Sequence, residues 1–288
     1  MQDGPPSGLD EPARDESDHA ALLSELSAHD LALAIDPDEA TVPTVDSDTD
    51  TDADAVFPQS VASGGPTPTG VILWTRVAPD AFDPEVALGV EVARDEAFET
   101  PVVSGVVDDP ERIAAHDYTI KIDLDERLEP GTEYHYRFVY DGVASRTGRC
   151  RTLPDPDASP ESISFAVLAC QDYTNGYYPA LGYVADEDVD FMIHLGDLIY
   201  ESDAGDFKGI GSYEYPDRDL SLPSGHDRAW TLADYRYLHR SYRSDRFLKR
   251  ALESHTLIAG RDDHEMIDDI YWDPDRDAPA GNHPMTDD

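Results

Sequence analysis

Lysine is nearly missing from this chain. Lys121, Lys208 and Lys249 are the only three among 21 basic residues, set against 62 Asp and Glu for a formal net charge of −41. A surface so negative repels nucleic acid and anionic membranes, so neither is an expected partner. Such self-repulsion is tolerable where salt screens it, with a Debye length of about 3 Å at 1 M, and the acidic excess reads as a halophilic protein. Carboxylates at this density attract cations everywhere and so mark no metal site by themselves. Cysteine is scarce as well: Cys150 and Cys170 are too few for a disulfide framework. No apolar run reaches about 18 residues, which leaves no membrane-spanning helix. The opening Met1-Gln2-Asp3-Gly4-Pro5-Pro6 lacks the basic and apolar regions and the twin arginine of an export signal, so the expected location is the cytoplasm.

What is present divides in three. Residues 1–55 hold sixteen acidic residues and one basic residue, Arg14, and read as a disordered acidic tail with at most a short helix around 20–35. The alternating Asp46, Asp48, Asp50, Asp52 and Asp54 lack the turn glycine and terminal Glu of a calcium loop, and read as solvated linker. Residues 56–154 change to short runs rich in Val, Ile, Tyr and Thr. Strands are expected at 70–77, 87–94, 101–107, 117–124, 133–140 and 146–153, the spacing of an all-β sandwich. Tyr134, Tyr136 and Phe138 alternate with polar residues, so one face of that strand is buried. Pro130-Gly131-Thr132 before Tyr134 resembles the turn and tyrosine corner of fibronectin type III domains, and no catalytic cluster occurs here. Residues 153–160 are a linker by composition.

From 161 the pattern becomes α/β. Ile163 to Cys170 is nearly continuous apolar sequence, which is how a strand covered on both faces reads. A helix is expected over 178–185 and a second strand over 189–195, giving a parallel pair with a right-handed crossover. Residues 202–228 form a long Gly-, Asp- and Pro-rich excursion. Thr231 to Asp234 opens a helix through a capping-box-like pattern, a second helix covers 245–252, and His255 to Ala259 is a third strand.

These three strands end in Cys170, in Asp197 with Tyr200, and in Asp262-Asp263-His264-Glu265. Neighbouring parallel strands deliver such ends to one rim, where open α/β sheets bind ligands. Each group has an ordinary structural role too. Cys170 would serve as a small core residue, and Asp197, Asp262 and Asp263 as helix caps. Coincidence at three strand ends favours a shared site. Thiolate, phenolate, carboxylates and imidazole together suit a trivalent iron beside a second, oxygen-loving ion such as calcium or manganese, with His264 placed for the phosphate or the leaving oxygen.

The segments "FPQSVASGGPTPTGVILWTRV" (57–77), "LEPGTEYHYRF" (128–138), "FAVLACQDYTNGYYPA" (165–180), "DFMIHLGDLIYE" (190–201), "LADYRYLHRSYRSDRFLKRALESH" (232–255) and "DDHEMIDD" (262–269) resemble, in order, the PhoD-like alkaline phosphatase/phosphodiesterase family of calcineurin-like metallophosphatases. The resemblance implies a fibronectin III/immunoglobulin-like sandwich over 56–154 and the first portion of an α/β metallophosphatase domain over 161–288. It implies Fe(3+) and Ca(2+) as cofactors, with Mn or Zn as alternatives, and hydrolysis of phosphate monoesters or diesters by a metal-activated water. Cys170, Asp197 and Tyr200 then look like iron ligands, with Asp197 bridging to calcium. Asp263 takes the place of an Asn ligand of related enzymes, and His264 looks like the catalytic histidine. Asp268-Asp269 stands where the family has an Asn. Family members continue into a second half that carries further metal ligands, so a C-terminally truncated chain with an incomplete sheet is expected, completed by a complementary C-terminal half. An inactive fragment or a non-catalytic phosphate- or metal-binding protein is the alternative. Family members are usually exported, against the cytoplasmic reading above.

Overall fold

The computed structural model describes residues 32–33, 42–45, 52–203, 215–276 and 278–281; most of the helix expected around 20–35 and most of the acidic tail lie outside them, and Ala32–Leu33 is strand rather than helix. The period-two segments between Val56 and Pro154 form strands β1 (Val61–Gly64), β2 (Ile72–Arg76), β3 (Leu88–Ala93), β4 (Val103–Val107), β5 (Thr119–Asp123), β6 (Glu133–Tyr140), β7 (Val143–Ala144) and β8 (Gly148–Arg151). A helix α1 (Pro110–Ala115), capped by Asp109, precedes β5. Strands β4, β3 and β6 form one antiparallel sheet, with β6 also pairing β7 and β8. Strands β5, β2 and β1 form an antiparallel run in a second sheet. One core takes side chains from both: Val61, Leu73, Ile120 and Ile122 from one, Val90, Val92, Tyr136 and Phe138 from the other. The Glu129 N–H donates to the Tyr134 hydroxyl (3.0 Å), beside Gly131 at φ +61°. Val42 and Pro43 lie against β3, where a Cβ on Gly89 would meet both side chains at 2.7 Å.

The second half continues with β9 (Phe165–Leu168), α2 (Pro179–Asp186), β10 (Phe191–His194), α3 (Leu232–Arg243), α4 (Arg246–Ser254), β11 (Leu257–Ala259) and a hairpin of β12 (Tyr271–Asp273) and β13 (Ala278–Ala280). Strands β9, β10 and β11 are parallel, in register at Val167, Ile193 and Ile258. Helix α3 starts at the expected capping box, with Thr231 and Asp234 exchanging hydrogen bonds. Met192, Leu238, Tyr242, Leu248, Leu252 and Leu257 form the core between sheet and helices.

The two halves share one sheet. Strand β11 pairs in parallel with β1 at Leu257 and Gly64, so the order runs β5–β2–β1–β11–β10–β9. The join is close: Gly65 N–H donates to the Leu257 carbonyl (3.2 Å), and a Cβ on Gly64 would lie 3.0 Å from that oxygen. One expectation fails at the other end. Strand β9 is not covered on both faces: it stands at the sheet's edge with Phe165 52% and Val167 53% exposed, while Ala166 and Leu168 on the other face are half-buried and Leu168 packs against the core. Among the described residues, no helix is long and apolar enough to cross a membrane.

Candidate metal centre

The parallel register sets Leu168, His194 and Ala259 side by side, so β9, β10 and β11 end on one rim. The ladder runs past the strands. Leu195 N–H donates to Leu168 O (2.8 Å), Gly260 N–H to His194 O (2.6 Å), Cys170 N–H to Gly196 O (3.2 Å) and Gln171 N–H to Asp197 O (3.0 Å). Gly196 makes the approach feasible: at φ +134° its Cβ would fall 2.5 Å from both the Asp262 Cβ and backbone nitrogen. Cys170 (φ +55°) and Asp197 (φ +58°) adopt the left-handed region that a side chain disfavours. Each such residue costs roughly 1–3 kcal/mol and persists only where its surroundings enforce it.

Asp197 is the hub. Its Oδ2 accepts from the Cys170 thiol and from the Tyr200 hydroxyl, each at 3.4 Å. Its Oδ1 is buried without a hydrogen-bond partner. Asp197, Asp263 and His264 each place a ligand atom within 4.8 Å of the others, and Asp263, Asp268 and Asp269 make a second such group. All five residues expected from the sequence therefore meet on this rim. The Asp268-Asp269 departure folds back toward it, with Asp269 N–H donating to Asp263 Oδ2 (2.7 Å). No helix starts near His264; residues 263–266 form turns, so helix capping is not what Asp262 and Asp263 do.

Electrostatics explain why this cluster is uncomfortable alone. Burial raises the Asp197 pKa, and the neighbouring Asp263 and Asp262 carboxylates add to the rise. Burial and then Asp197 push up the Cys170 thiol, and the same two causes push up the Tyr200 phenol. Burial opposes the charged form of His264, but the Glu201 carboxylate outweighs it and the net shift is upward. A cation among these groups would reverse the acidic shifts, because opposite charge within a few ångströms favours the ionised form. An orphaned buried carboxylate oxygen, ringed by a thiol, a phenol, carboxylates and an imidazole, fits a metal ion.

Two glutamates carry roles the sequence reading did not assign. Glu265 accepts backbone N–H bonds from Asp197 (3.1 Å), Leu198 and Asp262 (2.8 Å), tying the ends of β10 and β11 together. Glu201, fully buried, accepts from His264 Nδ1 (2.8 Å), Arg228 (3.1 Å) and the Asp268 N–H (3.1 Å). The His264 ring also lies 4.2 Å from the Tyr200 ring, centroid to centroid. Both glutamates stood inside quoted motifs, but Glu265 meets Asp197 and Leu198, and Glu201 meets His264 and Asp268, across more than sixty residues, which local spacing does not reveal.

Comparison with known proteins fits this geometry. Residues 42–154 match the PhoD-like phosphatase N-terminal domain, and residues 165–287 match the PhoD-like phosphatase domain. The chain belongs to the PhoD-like phosphatase family. Among relatives of this PhoD-like chain, alkaline phosphatase D of Bacillus subtilis (strain 168) is 38% identical over 218 residues, which cover 73% of this chain and 35% of that protein. A solved structure of PhoD superposes with a TM-score of 0.61 at 33% identity, covering 75% of this chain and 40% of that one. The chain thus spans about a third of the length of the curated relative it matches.

Proposed function

We propose that this chain carries the metal-binding rim of a phosphoric ester hydrolase acting on phosphate monoesters or diesters. The observation that carries the reading is Asp197: a buried carboxylate with one oxygen unpartnered and the other shared by Cys170 and Tyr200. Cys170, Asp197 and Tyr200 would hold Fe(3+), with Asp197 and Asp263 turned to a second ion, Ca(2+), or Mn or Zn in its place. The ions would acidify a water and neutralise charge on the phosphoryl group. Hydrolysis forms a bond from the water oxygen to phosphorus and breaks the bond to the ester oxygen. The chain's own residues align these events. Glu201 engages His264 Nδ1 and Asp268 Oδ1 lies 3.7 Å from Nε2; from Nε2 the ring would deliver the proton the departing alcohol needs. Glu265 fixes the backbone of Asp197 and Leu198, so the Asp197 carboxylate need not search for its position. The sandwich over 56–154, of fibronectin III type, buttresses the sheet through β1. We read the acidic surface as an adaptation to concentrated salt.

The test pairs metal content with turnover. The chain is loaded with iron and calcium in high salt, its bound metal is counted, and hydrolysis of a chromogenic diester and monoester is followed. Asp197→Ala should lose the metal and any turnover while unfolding at a similar temperature to the metal-free parent. Unchanged metal stoichiometry in Asp197→Ala would refute the assignment.

A further inference from the structure

A cleft of about 460 Å³ opens beside the metal centre, and two of the proposed ligands, Cys170 and Tyr200, line it. We infer that this cleft receives the organic group of the ester, that its preferred class is an uncharged aromatic alcohol, and that Tyr177 is the residue deciding the preference. This rests on the hydrolase reading above.

The cleft has the volume of a small-molecule site. Its apolar lining comes from Leu168, Leu181, Tyr177 and Tyr178. A phosphoryl group drawn to an ion that Cys170 and Tyr200 would hold has this cleft as the adjoining space for a substituent. Charge excludes some substituents. Asp172 lines the cleft with its carboxylate committed to Thr174 and Asn175, and a further anionic group would meet it unfavourably.

The aromatic wall is held in place before any ligand arrives. The Tyr177 hydroxyl hydrogen-bonds Asp217, and its ring meets Tyr215 edge-on at 5.8 Å and 85°. Gly176, at φ +126°, lets the wall close, since a Cβ there would sit 3.1 Å from the Tyr215 ring. The Arg218 guanidinium lies 4.1, 4.4 and 5.0 Å from the ring centroids of Tyr173, Tyr177 and Tyr178. Arg218 is in turn ion-paired with Asp245, the N-cap of α4, and both side chains are almost wholly buried. Burying an ion pair adds little net stability compared with an apolar substitute. What this pair does supply is orientation, fixing three rings around one guanidinium. Tyr177 itself remains 44% exposed, so its ring has surface left to offer a ligand. A preorganised ring loses little freedom when a second ring packs on it.

The test is titration calorimetry on the metal-loaded full chain with inorganic phosphate, methyl phosphate and phenyl phosphate. Phenyl phosphate should bind roughly tenfold or more tightly than methyl phosphate, the gain expected of one aromatic contact. Tyr177→Ala should bring that ratio to within about twofold, and Tyr177→Phe, which keeps the ring, should retain it. Equal affinities in the parent chain, or an unchanged ratio in Tyr177→Ala, overturns the inference. If neither inorganic nor methyl phosphate binds, the hydrolase reading has failed, and 4-nitrophenol alone decides the cleft. Binding that Tyr177→Ala abolishes then sustains an aromatic site, and no binding overturns it.

Discussion

Glu265 is the residue whose replacement separates a specific role from bulk acidity. In a chain carrying −41, removing an idle carboxylate relieves repulsion and should be neutral or mildly stabilising. Glu265 instead accepts three backbone N–H bonds, from Asp197, Leu198 and Asp262. Hydrogen bonds to a charged acceptor contribute about 1.5–3 kcal/mol each and neutral ones about 0.5–1.5. Glu265→Gln can keep the oxygen that accepts from Asp197 and Asp262 but sets its NH2 against the Leu198 N–H, so it loses that bond as well as the charge, about 2–3 kcal/mol after partial exposure of the site. Glu265→Ala leaves all three donors without their acceptor and should cost about 3–5 kcal/mol. Urea denaturation at constant high salt reads both, provided the slope with denaturant is unchanged. Because Asp197 sits in the left-handed region beside this clamp, affinity for an added metal ion should fall with stability, by roughly tenfold in the Gln variant for each 1.4 kcal/mol transmitted. Variants within about 0.5 kcal/mol of the parent, with unchanged metal affinity, would show that Glu265 is one more solvated acid and that the rim is held by the ladder alone.

Two further perturbations probe the scaffold. Gly196→Ala should destabilise by roughly 2–5 kcal/mol in the same denaturation assay, because the new methyl meets Asp262 at 2.5 Å on a backbone at φ +134°; a loss below about 0.5 kcal/mol would mean the two loops are not tightly apposed. Burial alone would raise the Asp234 pKa, but N–H groups of Ser224, Trp230 and Thr231 outweigh it and hold the carboxyl down to about 2. A depressed carboxyl stabilises fully above its ordinary value near 3.8 and loses that contribution as pH falls through about 2. The stability gap between the parent and Asp234→Asn should therefore be on the order of 2 kcal/mol above pH 4 and vanish toward pH 2; a gap constant across that range would refute it.

What could be read from the sequence was whatever its neighbours in the chain determine. Tyr134, Tyr136 and Phe138 point inward while His135 and Arg137 are only half-buried, as alternation requires. The capping box at Thr231 and the strand ends at Cys170, Asp197 and Asp262 were equally local signals. Strand β1 was not legible, because Val61-Ala62-Ser63-Gly64 has little β-branched bulk and is extended by its pairing with β2 and β11 rather than by its own preference. Helix α1 did carry a signal, Asp109 as N-cap with Pro110 at the first position, within a stretch whose dominant pattern was strand. The two-sided burial expected of β9 failed for the opposite reason. An apolar run reports what a strand would favour, and its actual coverage depends on elements far away.

The shared sheet changes what the N-terminal half is for. As a separable module, the N-terminal strands would contribute nothing to a rim built from β9, β10 and β11. Yet β1 is the hydrogen-bonded neighbour of β11, and the contacts continue beyond that pair. The Ser63 hydroxyl bonds Thr256 (3.1 Å), the Arg151 N–H bonds the Thr256 hydroxyl (2.8 Å), and Arg149 donates to the Ser254 carbonyl (2.8 Å). Thr256 immediately precedes β11, and β11 leads directly into Asp262, Asp263 and His264. Strand β11 is only three residues long, and with β10 on one side alone it would be an edge strand, free to shift its register. Pairing with β1 removes that freedom. It sets where β11 ends, and so where Asp262, Asp263 and His264 begin.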